Sequence, residues 1–181
     1  MGGNVDSNSI GERRLVQRDW VDGVMDEWAR ERPELDTAPA EIVSRLGRLS
    51  AFLDAELERM FRRYGLSRAG FDVLATLRRA GAPYRLPQKA VMAATLRTSG
   101  TTSFRIDRLE RQGLVRREPD LADRRGVFVT LTEEGLRLVD TVAPVHLANE
   151  DRLLAALSPA ERATLVGLLR QLLLSVEAAH R

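Results

Sequence analysis

The chain has 181 residues, 44% hydrophobic and 30% charged, about one domain's worth of ordinary globular composition. No apolar run approaches the ~20 residues that cross a bilayer, and the N-terminal stretch holds no apolar core of signal-peptide length, so a cytoplasmic protein with no membrane partner is expected. Cysteine is absent and the only histidines are His146 and His180, which excludes disulfides, thiolate metal sites and cysteine nucleophiles, and no cofactor or metal is expected.

The net charge of +2 is unevenly spread: −1 over residues 1–84, +5 over 85–125 and −2 over 126–181. A basic middle between slightly acidic flanks points to an anionic partner that meets only the middle. Of the 28 basic residues all but Lys89 are arginine, a bias expected of a GC-rich bacterial genome and of little functional content.

Residues 1–10, polar with glycines, are expected to form a disordered tail. A helix is predicted from Glu12 to Arg30, with Val16, Trp20, Val24 and Trp28 repeating every four residues until Pro33 stops it. Pro39 suits the first turn of a second helix reaching about Tyr64, along which Ile42, Leu46, Leu49, Leu53, Leu57, Met60 and Phe61 make one stripe before Gly65. Ser67 caps a third helix, about 68–80, ended by Gly81 and Pro83. A short helix follows from Gln88 to Ala94. The turn Leu96–Gly100 then leads into a helix that runs to Gln112, where Gly113 ends it.

Leu114–Glu118 and Val127–Leu131 are strand-like runs around a segment of turn formers, which predicts a hairpin. Thr132 caps a long helix to about Leu157, with Pro144 inside it, and Ser158-Pro159-Ala160-Glu161 is a capping box that opens the last helix. The order is helices, a helix–turn–helix, a two-stranded wing, then helices. The fold class is mainly α with a small β-hairpin wing. Its expected organisation is N-terminal helices over 11–66, a winged helix–turn–helix core over 67–135 and C-terminal helices over 136–181.

At ~100° per residue, Thr102, Ile106 and Leu109 share one narrow stripe of the helix 99–112, enough to dock it on a core. Phe104, Arg108 and Arg111 lie opposite, while Ser99, Thr101, Thr102 and Ser103 crowd the first turn and Lys89, Arg97 and Thr98 flank it. A helix that reads the major groove needs this arrangement: small hydrogen-bonding residues at its start and arginines along its exposed side. Arg124 and Arg125 at the hairpin tip can enter a minor groove or clamp phosphates. Isolated arginines of this kind also suit a merely solvated face. The agreement of caps, short preceding helix, wing-tip pair and regional charge favours double-stranded DNA.

The stretch Leu109-Glu-Arg-Gln-Gly113-Leu-Val-Arg-Arg, followed by Asp123-Arg124-Arg125-Gly126-Val-Phe-Val-Thr-Leu-Thr132-Glu-Glu-Gly135, resembles the winged-helix core of MarR-family transcription regulators, and the flanking helices fit that family too. The resemblance implies a homodimer held by its N- and C-terminal helices, acting as a repressor on an inverted-repeat operator. The last helix supports a partner chain independently. It is apolar almost all round, with Leu165, Val166, Leu168, Leu169, Leu172, Leu173, Leu174 and Val176, more than one small subunit can cover.

The helix before Arg32-Pro33 is an extension similar to the urate-responsive branch of the family (the PecS, TamR and HucR type). By that resemblance Trp28, Asp72, Arg105 and Arg117 would hold a small anionic effector, urate or a related purine, with arginines on its charge, Asp72 on its N–H groups and Trp28 as an aromatic wall. Each position has a blander reading. Trp28 continues a helix stripe, and Asp72 lies about 60° beyond the edge of its apolar arc and can be solvated. Arg105 flanks a buried side and can simply pair with Asp72, and Arg117 can contact phosphate. A citrate-like or phenolic anion suits two arginines equally well. His146, near Pro144 in the expected dimer helix, is either a pH switch or a satisfied interface group.

An enzyme is not expected, because no nucleophile stands beside a base and there is no glycine-rich phosphate loop. A non-specific DNA-coating protein would share the charge pattern without preferring an inverted repeat.

Overall fold

The computed structural model describes residues 17–95, 99–120 and 126–180, with the backbone but not the side chains described for 99–102. Helices are α1 (Trp20–Glu31), α2 (Ala38–Arg62), α3 (Arg68–Arg79), α4 (Gln88–Ala94), α5 (Ser99–Arg111), α6 (Glu133–Leu153) and α7 (Pro159–Ala179). Strands β1 (Arg85–Pro87), β2 (Val115–Pro119) and β3 (Val127–Leu131) form one antiparallel sheet in the order β1-β3-β2. None of the described helices is long and apolar enough to cross a membrane. The chain forms two compact units, one up to Asp54 and one from Ala55 onward.

In the first unit, α1 starts at Trp20, later than the stripe from Glu12 suggests. Asp19 accepts hydrogen bonds from the backbone N–H groups of Val21 and Asp22, and Asp22 accepts one from Asp19 N–H, so a reciprocal capping box fixes the start. Val16 lies outside the described residues. The buried residues of α1 are Val21 and Met25, whereas Trp20 is 59% and Trp28 47% exposed. The Trp20/Val24/Trp28 stripe is therefore not the covered face. Trp20 lies instead under the Arg48 guanidinium, 4.8 Å from its ring centre, and Arg48 also reaches Phe52. Arg45 ties the ends together through Asp19 (2.8 Å), Asp22 (2.6 Å) and Glu41 (3.3 Å).

The second unit holds one core. Leu57, Met60 and Phe61 from the end of α2 pack with Phe71, Val73, Leu74 and Leu77 of α3, Ile106 and Leu109 of α5, Val129 and Leu131 of β3, and Val139 and Val142 of α6. Each fully buried side chain of this kind contributes roughly 1.5–3 kcal/mol. Gly65, Gly81 and Gly113 end α2, α3 and α5 at positive φ, as their places in the sequence suggest. Ser67 caps α3 through Gly70 N–H, and Ser158 with Glu161 forms the capping box of α7.

The wing differs from a simple hairpin. The segment Arg85–Pro87 pairs with β3, Leu86 opposite Val129, adding an edge strand whose Pro87 needs no ladder donor. Helix α6 stops at Leu153 rather than Leu157, and a turn carries the chain to the α7 cap. At its start Thr132 accepts from Gly135 N–H and donates to Gly113 O at 2.7 Å. Gly135 is needed there because a Cβ would meet the carbonyl oxygen of Leu114 at 1.9 Å.

Candidate nucleic-acid interface

Helices α4 and α5 form the helix–turn–helix, and the core positions α5 through two residues. Ile106 is fully buried and Leu109 nearly so, while Phe104 on the opposite side is 65% exposed beside exposed Arg108 and Arg111. The face expected to read DNA is thus the outward one. Lys89 is exposed in the first turn of α4, and Ser103 is half-buried on α5. Ser99, Thr101 and Thr102 lie in the first turn of α5, where only the backbone is described, and Arg97, Thr98, Arg124 and Arg125 fall outside the described residues.

Much of the regional charge is already paired. Arg85 stacks on the Phe128 ring at 3.8 Å and lies 3.4 Å from Glu118. Arg116 meets Glu118 at 2.8 Å and Thr130 donates to it at 3.1 Å, and these bonds hold the Glu118 carboxyl below its usual range. Among the described residues of the basic middle, the exposed cations on or beside the helix–turn–helix are therefore Lys89, Arg108 and Arg111.

Arg117 is turned toward α5, not outward as a phosphate contact would be. Its guanidinium donates from Nε to Gln88 Oε1 at 3.0 Å and from Nη1 to Glu110 Oε2 at 2.7 Å; Nη2 lies 2.5 Å from Asp107 Oδ1 and 3.4 Å from Ser103 O. Its backbone N–H donates to Glu110 Oε1 at 2.9 Å. Burial works against the cation, yet the bonds to Asp107 and Glu110 raise its pKa above the ordinary arginine value. Gln88, Asp107 and Glu110 were not legible as a set. The available signal was an acid pair, three residues apart, on a helix meant to face a polyanion.

Asp72 sits half-buried on α3, so it is not the solvated carboxylate that its place on the helix wheel allows. Burial pushes its carboxyl up from the usual range, against the opposing pull of Arg68, His146, Arg79 and Arg105. Half-buried Arg105 and exposed Arg108 border a cavity of about 230 Å³ between the start of α3 and α5, which Leu66, Ser67, Gly70 and Gln112 also line. Trp28 belongs to the N-terminal unit. His146 packs within its own chain, its ring 5.1 Å from Phe61 and 5.2 Å from Phe71. Its Nε2 lies 3.3 Å from Glu150, and its buried Nδ1 has no hydrogen-bond partner among the described residues.

Comparison with known proteins agrees with this geometry. Residues 64–126 match the model of the MarR family. The chain is 40% identical over 149 residues to the HTH-type transcriptional regulator PecS of Dickeya dadantii, spanning 82% of this chain and 90% of PecS. A MarR-family regulator of Streptomyces coelicolor solved in complex with DNA superposes with a TM-score of 0.69 at 27% identity, over 78% of this chain and 90% of that one. Bordetella bronchiseptica BpsR, whose DNA binding is regulated by 6-hydroxynicotinic acid, superposes with a TM-score of 0.66 at 32% identity, over 73% and 98%. These similar proteins are transcriptional regulators rather than enzymes.

Proposed function

The chain belongs to the MarR family of winged-helix transcription regulators, and from that premise we propose that it is a cytoplasmic homodimeric repressor. It binds an inverted-repeat operator and is released by a small anionic effector, urate or a related purine. The observation that carries the reading is the outward face of α5, where Phe104, Arg108 and Arg111 stand exposed while Ile106 and Leu109 anchor the other side. The last helix supports the dimer: none of its residues is buried, and Leu168, Leu173 and Leu174 are each more than half exposed.

The effector reading rests on Asp72 and Arg105; Arg117 is engaged by Asp107 and Glu110 on the other flank of α5. A flat anion with ring N–H groups can donate to Asp72 and take the charge of Arg105, which stands on the recognition helix itself. BpsR answers to a flat heteroaromatic acid, the same broad chemistry. An anion reaching Arg117 must compete with Asp107 and Glu110 for it, which again acts on α5. Binding to the duplex just upstream of the chain's own coding sequence tests the proposal, at near-physiological salt with and without millimolar urate. Tight binding weakened by urate, and less by xanthine, is expected. Binding indifferent to urate would keep the regulator and remove this effector.

A further inference from the structure

We propose that Asp107 and Glu110 are positioning residues for DNA binding: through Arg117 they fix how the recognition helix is rolled against the wing. This inference rests on the DNA-binding reading above but not on its effector. Two carboxylates on a helix that lies against a polyanion are electrostatically adverse, since they repel the phosphates that supply most of the affinity. Their position accounts for them.

At ~100° per residue, Ser103, Asp107 and Glu110 share one flank of α5. Phe104, Arg108 and Arg111 lie outward, and Arg105 is on the other flank. The inner stripe of Ile106 and Leu109 sets where the helix sits; a narrow apolar stripe leaves its roll less defined. The flank contacts supply that restraint. Arg117 spans from Gln88 at the start of α4 to Ser103, Asp107 and Glu110 on α5, with the planar donor fork matching carboxylate oxygens. Strand β2 is an edge strand, and Glu110 also takes its outward N–H at residue 117. One guanidinium and one carboxylate thereby join three elements of the reading head.

The test uses the full chain. A duplex enriched from a random pool by the wild-type protein is compared with a scrambled duplex of the same composition, by fluorescence anisotropy over a range of salt. Simple electrostatics and the clasp predict opposite signs. The Asp107→Asn, Glu110→Gln double variant carries two fewer negative charges, yet it is expected to bind the enriched duplex at least tenfold more weakly while binding the scrambled one as tightly or more tightly. Arg117→Gln is expected to lose a similar factor with an unchanged salt slope, and combining it with the double variant adds little, as for residues acting as one unit.

Should the double variant fail to fold by thermal melting, each single variant is expected to lose about threefold and Asp107→Glu to recover part of it. The proposal is overturned if the carboxylate variants bind the enriched duplex as tightly as wild type or more tightly. It is equally overturned if Arg117→Gln lowers the salt slope by about 0.9, the signature of one lost phosphate contact. A pool that yields no preferred duplex overturns the DNA-reading role together with this one. A preferred duplex with indifferent variants removes the clasp and leaves the regulator.

Discussion

At Asp72 burial and charge pull in opposite directions, and burial prevails. A carboxyl whose folded pKa lies above its unfolded value binds more protons in the folded chain. Stability is therefore lost as pH rises from the ordinary carboxylate range through the folded value, and at neutral pH the ionised group is a net cost. Asp72→Asn is expected to raise the melting temperature at pH 7, with the gain vanishing toward pH 4. An unchanged or lowered melting temperature at pH 7 would show that Arg68 and Arg105 compensate the burial. If Asp72 also receives the effector, the same variant weakens the response to urate while sparing DNA affinity. The identity of the outward residues was readable from the 3.6-residue period, as Ile106 inside and Phe104 outside demonstrate. The partners of Arg117 were not, because they come from three separate elements and only the fold brings them together. His146 shows the same limit: its helix was readable, but its place between Phe61 and Phe71 depends on tertiary packing.

Elements whose ends carry their own chemistry were the legible ones. Ser67, Thr132 and Ser158 each cap the helix they precede, and Gly65 and Gly113 end theirs. Strand β1 was missed because three residues containing a proline carry no alternation; it exists only as a partner for β3. The junction of β3 and α6 shows how tightly wing and helix are joined. Thr132→Ala removes both the Gly135 cap and the bond to Gly113, and is expected to lower stability by about 1 kcal/mol in chemical denaturation. Gly135→Ala is expected to cost more, about 3 kcal/mol at the upper end of overpacking, because its methyl would press on the Leu114 carbonyl, which is backbone and cannot swing aside. Equal costs for the two would mean that this contact relaxes cheaply. On the reading head, Arg108→Ala and Arg111→Ala are expected to cost about 1–3 kcal/mol each for the preferred sequence where they contact bases. Lys89→Ala, by contrast, is expected to weaken all sequences alike and to lower the salt slope by about 1. The reverse pattern in a salt titration would exchange these roles.

For the whole molecule, the uncovered apolar residues of α7 support the proposed dimer, in which a single chain is half of a binding unit. Leu169→Glu with Leu173→Glu is expected to shift sedimentation from a dimer to a monomer and to weaken operator binding with it; a dimer that persists would place the partner surface elsewhere. The net regional charge of +5 that first suggested DNA already counts Glu118, Asp107 and Glu110, the acids that engage Arg85, Arg116 and Arg117. What the fold adds is where the exposed cations Lys89, Arg108 and Arg111 stand. In the proposed dimer two such chains read DNA with two-fold symmetry. Footprinting of the purified protein on its enriched duplex tests this most directly. Two protected major-groove patches related by an inverted repeat are expected, their centres about one turn or ~10 bp apart. A single asymmetric patch, or uniform protection with no helical phase, would contradict it.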